Sequence, residues 1–528
     1  MSLCLCASVF IVTSRRNFLK HSAAAVVTAS LPRRASAIIT QDGARPAAPC
    51  GVSTGDVTEG RAIVWSRTDR PARMIVEYST SPSFTDVRRI VGPAAMEATD
   101  FTARVDLRDL PPGQRISYRV VFQDLSDLRT LSVPVHGTFQ TASSAADRDV
   151  TFAFSGDSVG QGWGIDPDRG GIALYEAMRQ AEPDVFIHLG DTIYADQPLS
   201  REVKLDDGTV WRNVMSEAKS KIAQQLDDFR GAHRYNFLDD HLRRFNSEVS
   251  QVMLWDDHEV RDNWYPTQRL DADARYQVKS VALLAARAKQ AFLEYQPLRI
   301  NADEPERIYR SWRRGPLLEI FALDMRTYRG ANSPNVQPEL NADSAFLGPT
   351  QVEWLKGALS RSTSTWKVIA ADMPLGLVVN DAGGTFEAVA NANDGPPLGR
   401  ELEIADLLRF IRDRRIRNVI WITADVHYAA AYHYDPSRAR FTDFAPFWEI
   451  VACPLHAGTF GPNRLDATFG PELRFLAIPP DLKPNRPPSD GFQFFGLGRI
   501  DHRTRALTMQ IRNRTGETLF KMELGADT

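Results

Sequence analysis

The sequence predicts an α/β protein: a two-sheet α/β sandwich preceded by a small immunoglobulin/fibronectin-like β-sandwich. Three observations carry this expectation. From about Cys50 to Thr141, short strand-like runs alternate with turn signals and helical periodicity is absent. After that stretch, strand-like runs alternate with amphipathic helical windows, and towards the end the pattern returns to strands, as in a second sheet packed on the first. With 528 residues the chain is also too long for one ordinary core.

In chain order, residues 1–37 come first. Ser14-Arg15-Arg16-Asn17-Phe18-Leu19-Lys20 precedes a mildly apolar stretch from Ser22 to Leu31 and then Ala35-Ser36-Ala37. This resembles a twin-arginine export signal ending in an A-x-A cleavage site, because all three parts occur in order. It predicts passage through the twin-arginine translocase to a periplasmic or secreted location. An apolar run of about ten residues is too short to span a bilayer, so no stable membrane anchoring is expected. Cys4 and Cys6 fall in this segment. Cys50 and Cys453 remain, too few for a disulfide framework; a single bridge is allowed after export, and buried thiols are the simpler expectation.

Residues 46–141 are expected to form the β-sandwich. Its strands are read at Arg61–Trp65, Arg73–Tyr78, Thr102–Asp106, Arg115–Val121 and Gly137–Phe139, with Leu110-Pro-Pro-Gly-Gln and Tyr118 resembling a fibronectin-type loop and late strand. Thr141-Ala-Ser-Ser-Ala-Ala-Asp-Arg is the linker. Residues 150–524 are expected to form the catalytic α/β domain, with helices over Ile172–Ala181, Val278–Tyr295, Pro349–Ser360 and Glu401–Arg414. Late strands follow at Trp448–Ala452, Gln493–Gly498 and Ala506–Arg512. Asp381 to Arg400 lacks periodicity and is expected to wall the site, while Ile478 to Asp490 is a proline-rich loop.

Hydrophobic residues make up 43%, charged residues 24%, and the net charge is −3, so no specific nucleic-acid partner or anionic membrane is indicated. A phosphate site must therefore be local. Four polar runs supply one: Phe-Ser-Gly-Asp157, His-Leu-Gly-Asp191-Thr-Ile-Tyr194, Trp-Asp-Asp257-His258-Glu and Thr-Ala-Asp425-Val-His427. Each ends an apolar run that reads as a buried strand, and an open α/β sheet gathers ligands beyond the carboxyl ends of its strands. Residues 34, 66 and 168 positions apart then meet around one ion pair.

Hard cations take oxygen ligands and imidazole suits iron, zinc and manganese, so the Asp, Asn, His and Tyr set fits a binuclear, oxygen-rich centre. Asp191 is the bridging candidate. Tyr194 is a phenolate candidate that favours ferric iron, against the alternative of an amphipathic tyrosine at a pocket rim. Asp257 or Asn263 is assigned to the metals, as are Asp157, Asp425 and His427, the last two expected to face one way as i and i+2 residues of a strand end. His258 is the candidate general acid, its pKa lying near working pH. Arg261 is the candidate phosphate clamp, against an ordinary ion-pair role. His188, His233, His241 and His456 are read as core histidines.

These residues, with Asn263-Trp, Leu323-Asp-Met-Arg-Thr-Tyr-Arg329, Leu347-Gly-Pro-Thr-Gln-Val-Glu-Trp-Leu355 and Gly491-Phe-Gln-Phe-Phe, resemble the alkaline phosphatase D (PhoD-like) family of the metallophosphoesterases. The resemblance spans most of the mature chain. It implies an α/β sandwich of the metallophosphoesterase type, phosphomonoesterase or phosphodiesterase activity, and iron (Fe³⁺) with calcium held by tyrosine, aspartates, asparagine and histidine. Better-known members carry a cysteine iron ligand after the first strand. This chain has Asp157 there, a hard carboxylate for a soft thiolate, which opens the first site to other metals such as Mn, Zn and Co.

The expected chemistry is hydrolysis of a small-molecule or polymeric phosphate ester. The metals lower the pKa of a bound water for in-line attack while His258 protonates the leaving oxygen. Two alternatives are weighed beside it: a hydrolase specific for diesters, and a non-catalytic surface-binding protein stabilised by metal. The density of acid, base and cation candidates in one cleft argues against the second.

Overall fold

A computed structural model of the chain describes residues 42–527. The twin-arginine segment, with Cys4 and Cys6, lies outside the described residues. A nine-stranded and a seven-stranded sheet form the frame. At the centre of the first, Val150–Ser155, Val185–His188 and Ser250–Met253 run parallel, with Phe152 and Ser250 both opposite Val185. Phe494–Ile500, Leu507–Asn513 and Thr518–Leu524 extend one edge antiparallel. The second sheet has Leu318–Ala322, Trp366–Ala370, Val419–Thr423 and Phe447–Val451 in parallel at its centre.

These central strands are Val-, Ile- and Phe-rich because parallel strands bury both faces. Phe152, Phe154, Ile187, Leu189 and Leu254 of the first sheet share one core with Ile320, Val368 and Ile420 of the second. Burying each such side chain stabilises by about 1.5–3 kcal/mol, so the sheets are joined by the sum of many modest terms. The two-sheet α/β sandwich expected from the sequence is what the chain forms.

Helices Leu174–Gln180 and Asp240–Glu248 cover the outer face of the first sheet, Tyr175 and Phe245 closing on Phe186. Val281–Tyr295 begins at Ser280, whose side chain accepts the Leu283 N–H. Pro349–Arg361, with proline in its first turn, and Glu401–Asp413 pack on the second sheet through Leu355, Leu359, Leu407 and Leu408. Leu226–Asn236 and Asp240–Glu248 were not expected from the pattern, because their buried faces carry Arg230, His233, Asn236 and Asn246 among the apolar residues.

Within residues 52–140, Arg88–Ala95, Ala72–Ser79, Arg115–Asp124 and Val135–Gln140 make a four-stranded sheet. Met74, Val76, Ile116 and Val120 pack it on Val64 and Val105 of the strands Ala62–Arg67 and Thr102–Leu107. That second layer, with Val52–Gly55, is the far edge of the nine-stranded sheet, joined to it where Gly55 lies opposite Gln251. Cys50 and Cys453 are both buried free thiols. Among the described residues, no helix is long and apolar enough to cross a membrane.

Candidate metal centre

The four polar runs leave their strands at one crevice. Asp157, Asp191, Asn263, Asp425 and His427 all adopt left-handed backbone, with φ of 68°, 52°, 54°, 67° and 60°. Such conformations cost non-glycine residues about 1–3 kcal/mol each and persist where the surrounding structure imposes them, above all at functional sites. Gly190, at φ 114°, makes the turn into Asp191; a Cβ there would lie 2.5 Å from that of Asp256.

Asp157, Asp191 and His427 each present one ligand atom within 4.8 Å of the others, and so do Asp191, Asp257 and His258, and Asp256, Asp257 and Asp425. Asp191 and Asp257 thus link neighbouring groups. The His427 Nδ1–H donates to the Gly458 carbonyl at 2.5 Å, which leaves Nε2 as the acceptor. Nε2 lies 2.9 Å from the Tyr194 hydroxyl and 3.3 Å from Asp157 Oδ1. Glycine at 160 allows this approach, since a Cβ there would stand 2.5 Å from the Tyr194 ring. Asp157 is 1% exposed, and neither of its oxygens has a hydrogen-bond partner.

Asp191 accepts the His258 N–H at 3.0 Å through Oδ1, while its own N–H donates to Glu259. Asp257 Oδ2 accepts the Asn263 N–H at 2.6 Å, and the Asn263 side chain donates to Asp381 at 3.2 Å. Asp425 Oδ1 lies 3.2 Å from Arg326. The fully buried Arg326 guanidinium also engages Asp256, Asp372 and Glu387 and stands 3.9 Å from Asp257.

Arg326, even with Arg329 3.9 Å from Glu387, cannot neutralise so many carboxylates. Burial, then the charges of neighbouring carboxylates, push Asp157, Asp191 and Asp425 well above the ordinary carboxylate range. Asp257 is held low because His258 and Arg326 outweigh its burial. Burial lowers His427 to about 4, so its imidazole is neutral as a ligand must be. Burial and the Asp191 and Asp157 carboxylates keep the Tyr194 phenol protonated well above its usual range, so only a strong Lewis acid would ionise it. Unpartnered oxygens, an oriented imidazole and excess buried negative charge together fit cations.

His258 stacks on Tyr194 with ring centroids 4.2 Å apart, and its Nδ1 meets Asp196 Oδ1 at 2.8 Å. Burial alone would lower its pKa, but Asp196, Asp257 and Asp262 raise it to about 10. Arg261 is not brought to the crevice: its guanidinium bonds Gln268 at 2.8 Å and lies over the Tyr276 ring. Arg261 is not among the residues that line the cavity, and its contacts are those of a structural residue rather than of the expected phosphate clamp. The expected strand alternation of Asp425 and His427 is corrected too. The strand ends at Thr423, and two left-handed residues send Asp425 towards Arg326 and His427 towards Asp157.

His188 and His456 are buried beside Ser158 Oγ and the Gly164 carbonyl, and His233 stacks on Tyr295, as expected of core histidines. The sequence reading missed Asp196, Arg326, Asp372 and Glu387. Asp196 sits two residues after Tyr194, just past the end of that run, and was the one within reach. The others join the centre only through tertiary contacts. Over the centre lies a cavity of about 870 Å³ whose walls include Val378, Val379, Phe386 and Glu387, partly from the segment expected to wall the site.

A two-sheet α/β sandwich that gathers aspartates, a histidine and a tyrosine at its strand ends defines a phosphoesterase hydrolase of the metallophosphoesterase type. The model of the PhoD-like phosphatase family matches residues 152–511, and that of its N-terminal domain matches residues 33–143. The chain belongs to the PhoD-like phosphatase family. It is 26% identical over 438 residues to alkaline phosphatase D of Bacillus subtilis (strain 168), covering 78% of this chain and 70% of that one. Its fold matches a solved structure of PhoD with a TM-score of 0.66 at 21% identity, covering 90% of this chain and 88% of the other. It also matches a purple acid phosphatase from yellow lupin (Lupinus luteus) seeds, with a TM-score of 0.55 at 12% identity over 92% and 75% of the two chains.

Proposed function

We propose that the protein is an exported phosphoesterase that hydrolyses phosphate monoesters, diesters or both at a binuclear or larger metal centre. Asp157, Asp191, Tyr194 and His427 would hold ferric iron, and Asp191, Asp257, Asn263 and Asp425 would hold calcium, with Asp191 between them. The observation that carries this reading is Asp157, a buried carboxylate with both oxygens unpartnered beside the acceptor nitrogen of His427. The Tyr194 phenol supports ferric iron, because a hard trivalent ion stabilises a phenolate. The oxygen-rich group around Asp257 and Asp425 suits calcium, and Mn, Zn and Co are competitors at either position.

Cations bound there would supply Lewis acidity to the phosphoryl oxygens and acidify water. The chain's own residues do the rest. His258, held charged, faces the cavity and donates a proton to the leaving oxygen. Asp196 fixes its Nδ1 and so aims Nε2 outward, and the Tyr194 ring fixes its plane. Arg326 holds Asp256, Asp372, Glu387 and Asp425 in place while the centre assembles.

The relative named alkaline phosphatase D supports the phosphatase reading. The Ser14–Lys20 motif and Ala35-Ser36-Ala37 support export by the twin-arginine translocase to the periplasm or beyond. Turnover of 4-nitrophenyl phosphate against its bis-ester, with metal analysis on the same sample, tests the proposal. A protein loaded with metal but inert towards both would overturn it.

A further inference from the structure

The rest of the cavity wall differs in character from the metal centre it adjoins. Val378, Val379, Phe386, Phe460 and Pro462 supply apolar surface, and Gln161, Asn380 and Asn463 supply neutral amides. The wall is built rather than loose. The Phe460 N–H donates to the His427 carbonyl at 3.2 Å, and its ring stands edge-on to the His427 imidazole with centroids 5.4 Å apart. Thr459 and Arg486 exchange backbone hydrogen bonds of 3.0 Å, and Asn463 Nδ2 ties this loop to the Val378 carbonyl at 3.0 Å. Phe460 is therefore fixed relative to the ligands it overlooks.

Charge on the rim is as one-sided as its shape. Among the lining residues, the Lys/Arg set consists of Arg464, and its guanidinium is engaged by Asp394 and the Ala392 carbonyl. Asp262 lines the cavity with 61% of its side chain exposed and its Oδ1 3.8 Å from His258 Nε2, and Glu387 lines it too, already paired with Arg326. Cations at the centre would balance one phosphate. A second phosphate on the same substrate would meet Asp262 with no free guanidinium or ammonium to pair with.

We propose that this cavity selects phosphate esters whose organic part is uncharged and apolar, resting on Phe460 and Phe386, and rejects esters that carry further phosphates. The inference rests on the hydrolytic reading above and names the substrate class of that site. An aromatic wall contributes by contact area and edge-on packing, and loss of one apolar pocket contact changes kcat/KM by about tenfold or more.

The test uses the metal-loaded full chain and two substrate pairs. Adenosine 3′-phosphate and adenosine 3′,5′-bisphosphate differ by one phosphate, and the bisphosphate is expected to have a kcat/KM at least about tenfold lower. The substitution Val379→Arg, which offers the missing cation, is expected to narrow that gap. With 2-naphthyl and ethyl phosphate, Phe460→Ala is expected to lower kcat/KM for the naphthyl ester about tenfold more than for the ethyl ester. Equal or faster turnover of the bisphosphate, or an equal loss on both esters in Phe460→Ala, would overturn the inference while leaving the hydrolase standing. No turnover of any ester by metal-loaded protein would remove the hydrolytic reading, and this inference with it.

Discussion

The Tyr194 hydroxyl and His427 Nε2 lie 2.9 Å apart at the end of two different sheets, with Asp157 Oδ1 3.3 Å from the same nitrogen. The phenol donates its O–H to that nitrogen, and a cation held by phenol, imidazole and carboxylate as a shared ligand would take the place of the proton. The His427 Nδ1–H is already given to Gly458, so Nε2 has only its lone pair to offer. If ferric iron is that ligand, purified protein absorbs visible light through phenolate-to-iron charge transfer. Tyr194→Phe is expected to lose the band while keeping the fold, since the ring stays packed between Gly160 and His258. A wild-type sample with full iron content and no colour would rule the phenolate out.

Asp191 belongs to two of the ligand groups, one with Asp157 and His427 and one with Asp257 and His258. Asp191→Asn keeps the shape and removes the charge that a bridging ligand needs. Metal content is expected to fall, and turnover of 4-nitrophenyl phosphate to drop by about a thousandfold or more, since metal ions supply several kcal/mol of transition-state stabilisation and each 1.36 kcal/mol is tenfold. Normal turnover with normal metal content would refute the bridging role.

Arg326 explains why so much of this centre was legible in the sequence and why part was not. Asp157, Asp191, Asp257 and His427 end apolar strands, and a strand's carboxyl end is a place that pattern alone can locate. Arg326 lies in a motif of its own, and its meeting with Asp256, Asp372 and Glu387 depends on distances of 46 to 70 residues that no local pattern encodes. Asp425 and His427 were placed on the right loop with the wrong geometry, because positive φ at two non-glycine residues is imposed by tertiary packing. The β-sandwich strands were found by alternation, whereas the pairing of Gly55 with Gln251, which makes one layer continuous with the large sheet, joins residues too far apart to be read. Helices such as Leu226–Asn236 escaped because buried Arg230 and His233 break the apolar stripe.

Asp196 and His258 form a buried pair at 2.8 Å. If His258 protonates the leaving oxygen, its removal is felt most where the leaving group is a poor one. His258→Ala is expected to slow alkyl phosphate hydrolysis by about 10²–10⁴-fold, the usual span for a general acid. The loss on 4-nitrophenyl phosphate, whose leaving group departs as a stable anion, is expected to be much smaller. Asp196→Asn, which leaves the imidazole in place but weakens its hold, is expected to follow the same order with smaller losses. Equal losses on both esters would show that the pair only shapes the fold.

The excess of buried carboxylates sets the pH response of protein stripped of its metals. Burial pushes Glu259 and Glu387 up to about 7, against the hydrogen bonds from Thr192 and Asp256 to the first and the charge of Arg326 on the second. In the unfolded chain both titrate near the ordinary 4.5. Between about pH 4.5 and 7 the folded state therefore holds more protons at these two groups than the unfolded state, and their contribution to stability falls as pH rises through that window. Asp157, Asp191 and Asp425 are displaced in the same direction and add to the slope, while His188, His233, His427 and His456, lowered by burial, oppose it below about pH 6.5. Bound cations would replace those protons as the counter-charge, so the metal-loaded protein is expected to keep a nearly level Tm across the window. Chelated protein is expected to melt at progressively lower temperature as pH rises above about 6.5, where the buried histidines no longer oppose the carboxylates, and Glu387→Gln to flatten part of that decline. Parallel Tm profiles with and without metal would mean that the carboxylates find their counter-charge elsewhere in the protein, and the metal centre would lose its electrostatic argument.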